Sequence, residues 1–286
     1  MTHTIQFPAS AFDDDAASLP AIGIGTWYLG DNPSAREEEI RAVRAGLDAG
    51  LRVIDTAEMY GGGRSERLVG EAIAGRREEV FLVSKVLPSN ASARGTAEAL
   101  ERSLDRLGTD YLDLYLLHWR GGVPLGESVE ALHELKRAGA IRAWGVSNLD
   151  PEDLADLDRE AGPLAAELAT DQVLYNPTRR GPEVDLFPEL ERRGVPAMAY
   201  SPVEQGRLIG EEGLERVARR LGATPVQVAL AWAIRNGSVL AIPKASTVEH
   251  AVQNAAALDL ELGEEDLAEL DAAFPRPSGP VPLEIL

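Results

Sequence analysis

Residues 53–68 read Val53-Ile-Asp-Thr-Ala-Glu-Met-Tyr-Gly-Gly-Gly-Arg-Ser-Glu-Arg-Leu68. Val53 and Ile54 close a short apolar run of the kind that forms a buried strand. Asp55 and Tyr60 lie just beyond it, and three glycines lead into a helix for which Ser65 is the expected cap. The order is strand, loop, helix. A carboxylate where a strand leaves the core, close in sequence to a phenol and beside flexible glycine, can assemble an acid/base site. Taken alone, an Asp capping a turn and a half-buried Tyr account for the stretch as well.

Outward from this unit the same alternation repeats. Apolar strand candidates fall at Ile22–Thr26, Arg52–Asp55, Val80–Ser84, Leu112–His118, Ile141–Ser147, Thr170–Leu174, Val195–Tyr200 and Val239–Pro243. Helical segments fall near Ser34–Ala49, Ser65–Gly75, Ala93–Leu107, Leu125–Ala138, Pro151–Ala161, Asp185–Arg193, Thr224–Asn236 and Val248–Ala257. Short, mostly continuous apolar strands that alternate with helices imply a parallel sheet covered by helices. At 286 residues this α/β pattern fits a closed (β/α)8 TIM barrel. Ahead of it, Thr4-Ile-Gln-Phe-Pro8, an acidic turn around Asp13 to Asp15 and Leu19-Pro-Ala21 suggest a short N-terminal β-hairpin. An open doubly wound sheet would need a G-x-G-x-x-G turn, but Gly23-x-Gly25 is followed by Tyr28 at the third position and Gly61-x-Gly63 by Glu66. No Pro/Gly-rich linker divides the chain, so residues 1–286 are expected to form a single domain.

Composition narrows the chemistry. There is no cysteine, which removes disulfides, thiolate nucleophiles and Cys-ligated zinc, and four histidines leave little for a metal site; none is expected. A net charge of −19 opposes nucleic acid and anionic membranes as partners. No apolar stretch is long enough to span a bilayer, and Met1 to Pro8 lacks the features of a secretory signal, so a cytoplasmic protein is expected. Only Lys85, Lys136 and Lys244 are lysines, against 25 arginines and 47 acidic residues. Base-composition bias explains arginine but not the acidic excess, so the sequence leans towards a halophilic, acidic-proteome setting in which salt screens self-repulsion.

In a barrel the strands' C-terminal ends carry the active site. Those ends hold Thr26-Trp27, Asp55, Lys85, His118-Trp119, Ser147-Asn148, Tyr175-Asn176 just beyond Gln172, Tyr200-Ser201 and Lys244. Each has a plain structural alternative, such as a snorkelling lysine or a half-buried histidine. Together, Asp, Tyr, Lys and His on adjoining strand ends suggest a tuned acid. A free phenol with a pKa of about 10 is a poor donor at neutral pH, and an ammonium beside it favours phenolate.

All of these but Lys85 fall within seven motifs that occur in order, Gly25-Thr-Trp27, Ile54-Asp-Thr-Ala-Glu-Met-Tyr60-Gly61, Leu116-Leu-His118-Trp119, Gly145-Val-Ser-Asn148, Gln172-Val-Leu-Tyr-Asn176, Ala199-Tyr-Ser-Pro202 and Ile242-Pro-Lys244, with Lys85 in Val83-Ser-Lys-Val86. On them the chain resembles the aldo-keto reductase superfamily along nearly its whole length, and looks most like its bacterial methylglyoxal and small-aldehyde branch. The resemblance implies a (β/α)8 reductase binding NADP(H), with NAD(H) possible, across the barrel mouth. It implies Tyr60 as general acid tuned by Lys85 and Asp55, with His118 orienting the carbonyl. By the same likeness Ser147, Asn148 and Gln172 hold the nicotinamide carboxamide, Tyr200 stacks on its ring and Ser201 touches the pyrophosphate. Lys244, Ser246, His250, Gln253 and Asn254 lie at the adenosine end, and Trp27 and Trp119 wall the substrate.

The departures from the family pattern are local. Ala245, with Ser246 beside it, follows Lys244 where Ser is common, and His250 replaces the arginine that commonly clamps the 2′-phosphate. The loop after Trp119 and the tail after the last acidic helix, around Asp266 to Ala273, are short, which implies an open pocket. The expected activity is NADPH-dependent reduction of small aldehydes and α-dicarbonyls by a monomeric chain whose partner is a small-molecule carbonyl substrate. The alternatives are a diketo-sugar-acid or aldose reductase, or a non-catalytic cofactor-binding regulatory subunit.

Overall fold

The computed structural model describes residues 3–12 and 18–286; the expected acidic turn at Asp13 to Asp15 lies outside them. Strands β1 (Thr4–Gln6) and β2 (Ser18–Pro20) pair antiparallel, with Ile5 opposite Leu19. The hairpin's Phe7 stacks on Phe81 at a centroid distance of 5.5 Å, with Phe12 at 5.8 Å from the same ring. Phe81 opens its strand, so this aromatic cluster seals the barrel face opposite the strands' C-terminal ends.

Eight parallel strands follow in sequence order: β3 (Ile24–Gly25), β4 (Val53–Asp55), β5 (Phe81–Val86), β6 (Leu112–Leu117), β7 (Ile141–Ser147), β8 (Leu168–Leu174), β9 (Ala197–Tyr200) and β10 (Val239–Ala241). Parallel bridges Ile22–Ala241 and Gly25–Lys244 join the first strand to the last, closing a (β/α)8 barrel as the alternation predicts. The seam needs glycine: a Cβ on Gly25 would lie 2.5 Å from the Ile242 carbonyl oxygen.

The helices are α1 (Arg36–Asp48), α2 (Arg64–Ala72), α3 (Ala93–Leu107), α4 (Leu125–Arg137), α5 (Pro151–Ala161), α6 (Leu186–Arg193), α7 (Glu212–Leu221), α8 (Pro225–Ile234), α9 (Val248–Ala256) and α10 (Glu264–Ala273). Two findings correct the sequence reading. Helix α7 is an extra element between β9 and α8, although Leu214, Val217, Ala218 and Leu221 spell a helical face; all but Leu221 are buried. Ser65 does not cap α2. Gly63, left-handed at φ 86°, stands at the cap position, and Ser65 turns inward. Its hydroxyl lies 2.7 Å from that of Thr26 and 3.1 Å from that of Thr56, tying the ends of β3 and β4 together. Among the described residues no helix is long and apolar enough to cross a membrane, and no three His, Cys, Asp or Glu side chains are grouped to hold a metal.

Candidate active site

Asp55 ends β4, Lys85 lies near the end of β5, and His118 directly follows β6. Tyr60 opens a 3-10 turn whose glycines explain the Gly61-Gly62-Gly63 run: all three are left-handed, at φ 58°, 62° and 86°, which L side chains adopt at a cost. That turn brings the phenol back over the barrel mouth. The buried Lys85 ammonium uses its three protons on Asp55 Oδ2 (2.7 Å), the Thr56 carbonyl (2.8 Å) and the Tyr60 hydroxyl (3.1 Å). An ammonium can only donate, so the Tyr60 oxygen accepts here and its own proton is left for another acceptor. Gln172 Nε2 donates to the second carboxylate oxygen of Asp55 at 2.7 Å.

The electrostatics differ from the simple sequence expectation. Burial, reinforced by the Asp55 carboxylate, pushes the Tyr60 phenol well above its ordinary value despite the neighbouring ammonium. Burial also lowers Lys85, against the opposing pull of Asp55 and Glu66. His118 is driven down to about 2 by burial and by the Lys85 charge, so its imidazole is neutral across the working pH range. Its Nδ1 is buried and finds no hydrogen-bond partner among the described residues. The His118 ring meets Tyr60 edge-on at 5.9 Å and Trp119 at 4.9 Å, while Trp27 lies 6.4 Å from Tyr60.

A cavity of about 1040 Å³ opens at this rim, and it gathers the catalytic, cofactor and substrate residues that the family resemblance implies except Lys85, which lies buried behind Tyr60; Tyr175 and Asn176, also at a strand end, are buried away from it. On one side Ser147 donates to the Gln172 carbonyl (2.7 Å), and Asn148, left-handed at φ 59°, donates to the His118 carbonyl (3.2 Å). The Tyr200 hydroxyl donates to Asn148 Oδ1 at 3.0 Å. Ser201 follows, itself left-handed at φ 48°, its carbonyl held by Asn176 at 3.0 Å. The far end is the β10–α9 junction, with Lys244, Ser246 and, on α9, His250, Gln253 and Asn254; Thr247 caps the helix by accepting the His250 amide at 3.3 Å.

Sequence reasoning missed Tyr28 and Met59, the Val203–Ile209 loop, and Ile285 and Leu286, all of which line the cavity in whole or part. Residues 201–224 between β9 and α8 are far longer than an ordinary βα connection, which was the available signal for the loop. The tail gave none. Short as it is, it reaches the mouth because Arg179 pairs with Glu284 at 2.5 Å, so the pocket is less open than the tail length implied.

The donor set suits a nicotinamide dinucleotide. Among the described residues that line it the only acid is Asp55, already held by Lys85 and Gln172, although the chain carries a net −19. The remaining polar groups are neutral amides, hydroxyls, two indoles and the neutral His118 imidazole, plus Lys244 and His250, which fits a carboxamide at one end and phosphate anions at the other.

The (β/α)8 barrel thus gathers a buried Asp55–Lys85–Tyr60 contact and a neutral histidine at its C-terminal rim. The chain belongs to the aldo/keto reductase family, whose sequence profile matches residues 21–274, and is an oxidoreductase of that NAD(P)H-dependent family. It is 48% identical to methylglyoxal reductase YeaE of Escherichia coli (strain K12), over 94% of this chain and 96% of that protein. It is 35% identical to glyoxal reductase of Bacillus subtilis (strain 168), over 90% of each chain. An aldo/keto reductase from Klebsiella pneumoniae, crystallised with NADP and acetate, superposes with a TM-score of 0.94 at 48% identity over the whole of both chains.

Proposed function

We propose that this chain reduces small aldehydes and α-dicarbonyls of the methylglyoxal kind to alcohols with NADPH, Tyr60 acting as the general acid. The observation that carries the reading is the Tyr60 hydroxyl: it accepts from Lys85 at 3.1 Å, so its proton faces the cavity. A nicotinamide cofactor, when bound in the cavity, would supply the hydride. Ser147, Asn148 and Gln172 would hold its carboxamide, Tyr200 its ring, Ser201 its pyrophosphate, and Lys244, Ser246, His250, Gln253 and Asn254 its adenosine end. Neutral His118 orients the carbonyl oxygen towards Tyr60 without carrying a charge of its own.

The raised phenol stays protonated until a carbonyl oxygen gains negative charge beside it. At that moment Lys85, held by Asp55, stabilises the developing phenolate across a dry contact. Trp27 and Trp119 wall the space in front of Tyr60. The relatives that reduce methylglyoxal and glyoxal support the substrate class. The charge of −19 opposes nucleic-acid and anionic-membrane partners, and we take the chain to act in the cytoplasm as a monomer.

Following NADPH absorbance with methylglyoxal, glyoxal, simple aldehydes and aldoses, with NADH in parallel, tests this. The reading expects the dicarbonyls to give the highest kcat/KM, with NADPH preferred over NADH. Faster turnover of long polyol aldoses would make the chain a sugar reductase, and no turnover of any carbonyl would make it a cofactor-binding subunit.

A further inference from the structure

The β10–α9 junction is approached by helix α1 at one spot. Ala42 of α1, Ala245 and Ala251 are all buried and form a small apolar cluster separate from the barrel core. Three alanines in contact bring the two backbones close, so the residues flanking Ala42 on α1 stand beside the Lys244–His250 end of the cavity. Those residues are Glu38 and Arg41.

Glu38 reaches across. One carboxylate oxygen lies 3.4 Å from the backbone amide of Val248, the first residue of α9. The other accepts from the Arg41 guanidinium, with Arg41 Nε at 3.0 Å and its Nη2 also in contact. Both partners hold the Glu38 carboxyl below the usual carboxylate range. An anionic group held between a guanidinium and an amide at a helix start takes the same donors a phosphate takes.

The cavity itself offers a phosphate little at this end: among the described residues Lys244 is the one Lys or Arg that lines it, and no guanidinium does. Arg41 is more than half exposed and on a long stem, free to turn.

We propose that Arg41, delivered from α1 rather than α9, is the guanidinium that recognises the 2′-phosphate of NADPH, and that Glu38 holds it in place when no phosphate is present. Glu38 is then a competitor as well as a holder: it keeps Arg41 ready, but as a neighbouring carboxylate it repels the incoming phosphate. Together the pair sets how strongly NADPH is preferred over NADH. The inference rests on the assignment of the adenosine end to Lys244, Ser246 and His250.

The test is binding rather than turnover. Dissociation constants are measured at fixed pH and salt for NADPH and NADH by quenching of tryptophan fluorescence, and for 2′,5′-ADP and 5′-AMP by calorimetry. The proteins are the wild type, Arg41→Ala, Arg41→Lys, Glu38→Gln and Lys244→Ala. Loss of a charge-assisted contact at a partly exposed site should weaken NADPH and 2′,5′-ADP about tenfold in Arg41→Ala and leave NADH and 5′-AMP unchanged. Arg41→Lys should recover part of the loss, and Glu38→Gln should tighten only the two 2′-phosphorylated ligands. If Arg41→Ala leaves the NADPH/NADH ratio unchanged while Lys244→Ala collapses it, Arg41 has no such role but the adenosine end is assigned correctly. If neither moves the ratio, the underlying assignment fails too. Equal weakening of NADH and NADPH in Arg41→Ala would make Arg41 merely structural and overturn the proposal.

Discussion

Asp171→Asn should stabilise this protein, and should do so increasingly as pH rises. Asp171 sits on β8 between Val146 and Ala197, fully buried, and among the described residues neither carboxyl oxygen finds a well-formed hydrogen bond. Burial pushes its carboxyl well above the usual range. The nearby Leu149 amide only partly opposes this, and Asp153 and Asp150 add like charge. The sign follows from linkage. Above the unfolded pKa of about 3.9 the folded chain holds a proton that the unfolded chain has released, so stability falls as pH rises until the folded carboxyl itself ionises. If the carboxyl is still protonated at pH 7, the cost has a ceiling of about 4 kcal/mol, at about 1.4 kcal/mol per pH unit. That is a large share of a typical folding free energy of about 5–15 kcal/mol. Asparagine keeps the shape and never ionises; any misfit of its amide is a pH-independent offset, so the slope is the test. Urea unfolding of both proteins at pH 5, 6, 7 and 8 and constant ionic strength should give a stability difference that grows in favour of the asparagine variant. A difference that is flat, or that shrinks with pH, would mean Asp171 is ionised and paired in the fold.

Three other predictions concern charge. With Lys85 lowered by burial, the alkaline decline of kcat should begin below the ordinary lysine value of 10.5; Lys85→Met should lower turnover throughout and abolish that limb, whereas an unmoved limb belongs to another group. The acidic excess predicts a melting temperature that rises from low to molar KCl as carboxylate repulsion is screened, and a flat or falling value would point to compositional drift. His250→Arg should tighten NADPH by offering the 2′-phosphate a bidentate guanidinium and leave NADH nearly unchanged, and an NADPH/NADH ratio unmoved by the substitution would mean position 250 does not face the 2′-position.

The barrel was legible because each strand is a short continuous apolar run ending on a polar residue. That register is enforced by burial on both faces and survives any detail of the loops. Asp55, Lys85 and His118 were legible for the same reason, since a strand end fixes where its side chain emerges. What escaped depended on groups distant in sequence. Ser65 reads as a helix cap because Ser is a good one, but its hydroxyl finds Thr26 and Thr56, which only the closed barrel brings near. Helix α7 was passed over although its apolar face was in plain view, because a strict βα alternation left no place for it. The pull of Lys85 on Tyr60 was expected to dominate from adjacency alone; burial of the pair reverses the outcome, and burial is not written in a motif. The approach of α1 to α9 rests on three alanines that carry no sequence signal.

The central claim is that Tyr60 gives the proton. Tyr60→Phe removes the hydroxyl and leaves the ring, the Lys85–Asp55 pair and the cavity in place, so binding and catalysis separate cleanly. Initial rates of NADPH oxidation with methylglyoxal, alongside the NADPH dissociation constant, should show turnover down about 10²–10⁴-fold with cofactor affinity nearly unchanged. Turnover close to that of the wild type in Tyr60→Phe would contradict the account.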